Sequence, residues 1–410
     1  MDMERRVEAL LNDFIRMGPP GCGLVIARGG RTICRMCAGY ADVEAGVPLR
    51  GDTLVRLYSN SKVFTSVALM TLYEQGRFLL DEPVAKYLPE FADAKVGFFT
   101  GNGVYTVRPA ARPMRIRDLL CMTSGLPYDA GITGGRFSLT HGGLADALDD
   151  LEARGGYTVR EFTKRIAEVP LLFDPGTSWS YGYSHDVVGA LIEVLADMEF
   201  EDYLRKAILD PLGLKDTSFF IRDDRRDRLS RMYGAKTAAG VNPPVTDRDA
   251  GYEAAHRFKS GGGGMLSTLD DLSRFAAALA MGGALDGVRV IGRKTLDLMR
   301  QNHLDEAQLR AFRAAHENGW EFLSGYGYGL GVRTLMSRQA AGANGTPGEF
   351  GWAGAAGTYL LADPEERFSV AYVQQVLPNP YEGYFHPRLR AVAYSLIDEV
   401  PGEAQCTFPQ

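Results

Sequence analysis

Strand-patterned segments lie at both ends of this chain, and helical patterns fill the stretch between them. CGLVIAR (22–28) and RTICRMCAG (31–39) flank the Gly29-Gly30 turn, the pattern of a β-hairpin. Almost three hundred residues later come GYGLGVRT (327–334), GTYLLAD (357–363) and RFSVAYVQQ (367–375), each read as a strand. Between them the pattern is helical and loop-rich, with helices expected over Ile116–Met122, Val159–Glu168, Asp186–Ala196 and Glu201–Ile208. Strands at both ends and helices in the middle predict one sheet built from the two termini, with the helical region inserted into it. The fold class expected is therefore α+β, an α/β sandwich with an antiparallel sheet flanked by helices. The expected division puts residues 1–80 and 255–410 in the sheet domain and 81–254 in the inserted domain. Further helices are expected over 60–75, over 267–280 behind a Ser-x-x-Asp box, and over 387–399.

Composition removes several function classes. The net charge of −6 and the lack of any Lys/Arg-rich run argue against nucleic acid as a partner. MDMERRVEALLNDFIRMG is an amphipathic helix pattern with Val7, Leu10, Leu11 and Phe14 on one face, and it lacks the apolar core of a signal peptide. No stretch approaches the roughly 18 to 20 apolar residues of a membrane span. The expected location is cytoplasmic, and the oligomeric state is left open. The five cysteines (Cys22, Cys34, Cys37, Cys121 and Cys406) are odd in number and scattered, so they form no disulfide framework. Cys34 and Cys37 lie three apart on a strand and therefore face opposite ways. The six histidines are isolated and show no metal-binding spacing, so neither a metal nor any other cofactor is expected. The glycines of SGGGG (260–264) are not followed by the Lys-Ser/Thr of a phosphate loop and are read as a place of close backbone approach. RDDRRDRLSR (222–231) reads as a solvated face.

One local conflict remains, in LYSNSKVFTS (57–66). Lys62 follows Ser59 by three residues at the head of an almost wholly apolar helix. A cation there faces the positive end of the helix dipole, and a capping box would place Glu or Gln at that position. Burial and the dipole both push a lysine toward its neutral form, and a neutral lysine can take the proton of a serine nucleophile. Ser59 would then develop negative charge beside backbone N–H groups.

The surrounding sequence supports a catalytic reading. GYADVEAGVPLRGDTLVRLYSNSK (39–62), LDEPVAKYLPEF (80–91), IRDLLCMTSGLP (116–127), PGTSWSYGYSHDVVGALIE (175–193), DPLGLKDTSF (210–219), SGGGGMLSTLDDLSRFA (260–276) and FGWAGAAGTYLLADPE (350–365) follow one another in family order. Over nearly its whole length the chain resembles the serine β-lactamase and penicillin-recognising superfamily, and within it class C β-lactamases and family VIII carboxylesterases. The resemblance implies Ser59 as nucleophile, with Lys62 and Tyr181 sharing its proton. It implies oxyanion donors on Ser59 and Ala355. The second motif, Tyr-x-Asn in the family, reads Tyr181-Gly182-Tyr183 here, so Tyr183 replaces the asparagine that helps to hold an amide. The third, Lys-Thr-Gly or His-x-Gly in relatives, reads Trp352-Ala353-Gly354. An indole carries no positive charge, so Trp352, expected at the site's rim, implies neutral and partly apolar substrates. Met122 stands where many relatives have histidine and is read as core packing. The resemblance thus implies a small-molecule ester substrate and an acyl-enzyme on Ser59. An acyltransferase, a β-lactamase or DD-peptidase, and a non-catalytic binding protein are the alternatives.

Overall fold

The computed structural model describes residues 3–128, 143–246, 249–317 and 323–397. His141, Cys406 and the last residues of the helix expected to end at 399 lie outside the described residues. The elements that frame the molecule begin with α1 (Met3–Met17), β1 (Gly21–Arg28), β2 (Arg31–Asp42) and β3 (Val47–Pro48), followed by α2 (Ser61–Glu74), α3 (Ser184–Ala196) and α4 (Leu269–Ala280). The late strands are β4 (Tyr326–Tyr328), β5 (Arg333–Leu335), β6 (Phe350–Ala353), β7 (Tyr359–Asp363) and β8 (Phe368–Gln374), and α5 (Glu382–Tyr394) follows them.

The two chain ends do form one sheet, in the order β4-β5-β6-β7-β8-β1-β2-β3. Its seam is the antiparallel pairing of β1 with β8, in which Val25 faces Ala371. Because β1 is covered on both faces, its residues are buried almost throughout. Leu24 and Ile26 face a layer made by α1 and α5. Val25 and Ala27 face the opposite layer, which contains α2 and α4. In the first layer Phe14 stacks on Phe385 at 4.0 Å between ring centroids. In the second, Phe64 of α2 stacks on Phe275 of α4 at 3.8 Å. Cys34 and Cys37 sit on opposite faces of β2 as free thiols.

Residues 81–254 supply α3 and several shorter helices. They also supply an antiparallel ribbon, Lys95–Phe99 against Tyr105–Pro109, which the helical reading of this segment missed. The apolar core runs without a break from the α2–α4 layer into this segment. Polar pairs add to the join: Ser66 Oγ lies 3.0 Å from His185 Nε2 between α2 and α3.

Three expectations are corrected. GYGLGVRT is a hairpin rather than one strand, because Gly329 N–H donates to the Val332 carbonyl and turns the chain between β4 and β5. The cap of α4 is Thr268, whose hydroxyl accepts from Asp271 N–H. Ser267 is drawn instead into a short strand pairing with Val55, and its hydroxyl meets Thr217. The last helix starts at Glu382, with Pro387 inside it. Proline suits a helix start, but the seat for Phe385 on Phe14 draws the preceding turn into the helix. The mixed-charge segment 222–231 is a surface turn that pairs outward, with Arg226 bidentate on Glu253.

The stacked pair gives a test of the outer layer. Phe14→Ala and Phe385→Ala should each cost about 3–5 kcal/mol in urea-induced unfolding. The double variant should cost clearly less than their sum, because each ring loses the same partner.

Candidate functional site

Ser59 sits in a single 3-10 turn, Tyr58–Asn60, that runs directly into α2. The turn is under backbone constraint. Tyr58 has φ = 47°, a left-handed conformation that a tyrosine adopts only when its surroundings impose it. The flanking Leu57 is held from two sides: its N–H donates to the Met265 carbonyl, and its own carbonyl accepts from Thr358 Oγ1 (2.9 Å). Thr358 in turn accepts from Asn60 Nδ2 (2.8 Å). The nucleophile turn is thereby tied to the turn between β6 and β7, which carries Gly354 and Ala355. A Cβ on Gly354 would stand 2.1 Å from the Leu57 carbonyl oxygen, so this approach requires glycine. The Ala355 N–H has no acceptor among the described residues and is free to donate.

Lys62 is fully buried. Its Nζ lies 3.3 Å from Ser59 Oγ and donates to the Gly262 carbonyl at 2.6 Å. The same Nζ stands over the Tyr181 ring, 4.5 Å from its centroid, and 5.8 Å from that of Tyr128. Burial lowers the amine's pKa from 10.5 to about 7, against the opposing pull of the Asp186 carboxylate. The lysine is thus placed where its charge is costly.

Tyr181 reaches the same place from the loop before α3. Its phenol is hydrogen-bonded to Ser59 and accepts from Trp352 Nε1–H at 3.2 Å. Burial pushes this phenol well above its ordinary value, and the bonds to Ser59 and Trp352 oppose that rise. Tyr181 is thus held as a neutral phenol, beside an amine that burial shifts toward its neutral form. The loop is positioned by the segment after residue 120: Ser180 N–H donates to the Met122 carbonyl, and Tyr183 N–H to that of Pro127. Met122 is buried, as the core reading expected, and its backbone also serves to hold this loop.

Trp352 is corrected. It is not a rim residue but a buried one, 5% exposed. Its indole lies nearly parallel to the Tyr181 ring, at 5.9 Å and 12°. The Gly354 turn suggested a rim, but the residue's place on β6 points the indole inward to an acceptor, which a buried indole N–H needs. Tyr183 is buried as well and packs on Tyr128 at 4.6 Å and Phe162 at 5.2 Å. Ser59, Lys62, Tyr181 and Trp352 are thus brought into direct contact, and Tyr183 joins them through Tyr128, whose ring meets that of Tyr181 at 5.5 Å.

Two groups of residues escaped the sequence reading. One is the Asn60–Thr358 link. The other is Asp186 with Ser260 and Gly262, whose carbonyl receives the Lys62 amine. The available signal was the acid in HDVVGALI, which stands out in an apolar run as Lys62 does in its own.

The family model described as Beta-lactamase matches residues 5–394. The chain belongs to the beta-lactamase family. Within reach of it are Protein Rv1367c of Mycobacterium tuberculosis, 31% identical over 346 residues and covering 83% of this chain and 82% of that one, and Esterase EstB of Burkholderia gladioli, 28% identical over 390 residues, 90% and 88% respectively. Among solved structures, EstCE1, described as a hydrolase with promiscuous acyltransferase activity, superposes with a TM-score of 0.75 at 26% identity, covering 96% of this chain and 98% of its own. No helix among the described residues is long and apolar enough to cross a membrane.

The cost of the buried lysine is measurable. Between pH 7 and 10.5 the unfolded chain binds a proton that the folded chain does not, so this group's penalty shrinks as pH rises through that window and is largest below it. Lys62→Met should therefore raise the thermal midpoint, and raise it more at pH 6 than at pH 9, while removing activity.

Proposed function

We propose that the protein is a serine carboxylesterase that works through an acyl-enzyme on Ser59. The observation that carries this reading is the contact of Ser59 Oγ with both a buried lysine amine and the Tyr181 phenol. Neutral Lys62 takes the Ser59 proton as Oγ attacks the ester carbonyl carbon. The faces of the Tyr181 and Tyr128 rings favour the ammonium that forms. Negative charge on the carbonyl oxygen meets the N–H groups of Ser59 and Ala355. As the tetrahedral centre collapses, the C–O bond to the alcohol breaks, Tyr181 gives that oxygen its proton, and Lys62 restores the phenol. Water then attacks the acyl-enzyme by the same steps in reverse order of roles.

Trp352 holds the Tyr181 oxygen and contributes no cation to the site, so the proposed substrate is a neutral, small-molecule ester. Tyr183 stands where an amide-holding asparagine is absent, which favours esters over β-lactams and peptides. Gly354 lets the oxyanion turn approach Leu57. The esterase EstB, at 28% identity over most of both chains, supports the reading. Transfer of the acyl group to an alcohol or amine is the second reading, favoured by the acyltransferase activity in the description of EstCE1. The division at residues 81 and 254 belongs to the same proposal and puts Ser59, Lys62 and Trp352 on one side of the seam and Tyr181 on the other. A cytoplasmic location, a role without nucleic acid or membrane, and catalysis without a cofactor complete it. The four cysteines among the described residues are free thiols, which suits a reducing compartment.

A panel of p-nitrophenyl esters and nitrocefin, with and without alcohol acceptors, tests the assignment. Ester turnover with little nitrocefin turnover is expected, and the acceptors should show whether the acyl group goes to water. Ser59→Ala should abolish turnover with the fold intact, and mass spectrometry with a slow ester should find the acyl group on the Ser59 peptide. Tyr181→Phe should lose on the order of 10² to 10⁴ in kcat, and Tyr183→Phe much less. Equal losses at the two tyrosines would mean that Tyr183 also acts in the chemistry.

A further inference from the structure

The glycine whose carbonyl receives the Lys62 amine is itself held by a carboxylate that the reaction above does not use. Asp186 is in the first turn of α3 and is buried. Its Oδ1 accepts from Ser260 Oγ and from Gly262 N–H at 3.2 Å. The carbonyl of that same Gly262 receives the Lys62 amine at 2.6 Å. A Cβ on Gly262 would stand 2.6 Å from Asp186 Oδ2, so the loop approaches the carboxylate only because this residue is glycine. Thr65 adds a second clasp by donating to the Gly261 carbonyl at 2.8 Å.

We propose that Asp186 is a positioning residue for Lys62: through Ser260 and Gly262 it fixes the carbonyl that receives the lysine amine, and it supplies the negative charge that the lysine faces once protonated. This inference rests on Lys62 being the base. The other groups facing the amine do not supply that charge. The Ser59 hydroxyl carries no charge, Tyr128 offers a ring face, Tyr181 is held as a phenol, and His185 on α3 is kept neutral by burial, which lowers its pKa well below the ordinary value. The 261–264 loop offers backbone alone. An ammonium formed in this pocket without Asp186 would have ring faces and a carbonyl to meet it but no counter-charge, and a buried unpaired charge is strongly disfavoured. The carboxylate thus keeps the lysine's proton affinity from falling so far that it could no longer take the serine proton. Burial raises the affinity of Asp186 itself for a proton, while Ser260, Lys62 and Gly262 oppose that rise.

The test is the pH profile of kcat/KM for a neutral p-nitrophenyl ester. Wild type should show an acid limb near pH 7, where Lys62 loses its proton. Asp186→Asn preserves shape and removes charge, so its limb should move toward acid by about half a pH unit or more, a roughly threefold gain in relative rate on the acid side. Its plateau kcat should fall. A merely structural role would lower the plateau without moving the limb. Should that variant not fold, Gly262→Ala asks the same question, because its Cβ must displace the carboxylate and move the limb in the same direction. A limb that stays in place or moves toward alkali in a folded variant overturns the role of Asp186 alone. A wild-type profile with no such limb overturns it together with Lys62 as the base.

Discussion

Everything around the site follows from keeping one lysine amine out of water. A lysine in water keeps its charge at no desolvation cost. Lys62 instead points into a pocket of aromatic faces, a glycine carbonyl and a serine hydroxyl. Desolvation brings its pKa to about 7, and in the proposed reaction that displacement is what lets it act as a base. The price is stability, and the neighbouring structure is arranged to contain the loss.

Containment explains features that look unrelated. The SGGGG run wraps the start of α2: Met265 N–H donates to Ser61 Oγ, and its carbonyl receives Leu57 N–H. Asn60 and Thr358 tie the turn that carries Ser59 to the turn that carries Gly354 and Ala355. Trp352 is the counterpart for Tyr181, a buried N–H that fixes a phenol oxygen. The sheet supplies the rigid base for all of this, since β6 and β7 are paired strands and α2 packs on the layer they face. Preorganised groups of this kind lower a barrier without having to reorganise during the reaction.

Much of this was legible in the sequence, for definable reasons. The two-ended sheet was legible because strands β1, β2, β7 and β8 are continuous runs between turn residues. The α2 helix was read to within a residue at each end, and Lys62 was conspicuous because it breaks local rules. The hairpin at 327–334 was not legible, because alternating glycines look the same in a strand and in a turn. The burial of Trp352 was hidden, since its partner lies 171 positions away. Asp186 and Ser260 are 74 positions apart and Asn60 and Thr358 are 298, and no local pattern announces either link. The substitution of tyrosine for the amide-holding asparagine was plain in the sequence, whereas its packing on Tyr128 and Phe162 was not.

Lys62 gives up its proton near neutral pH in the resting protein, far below the ordinary lysine range. NMR titration of its side-chain amine, assigned by comparison with Lys62→Met, measures this directly. A midpoint near pH 7 is expected in the free enzyme. A midpoint near 10.5, the ordinary lysine value, would contradict it and leave Ser59 without a base.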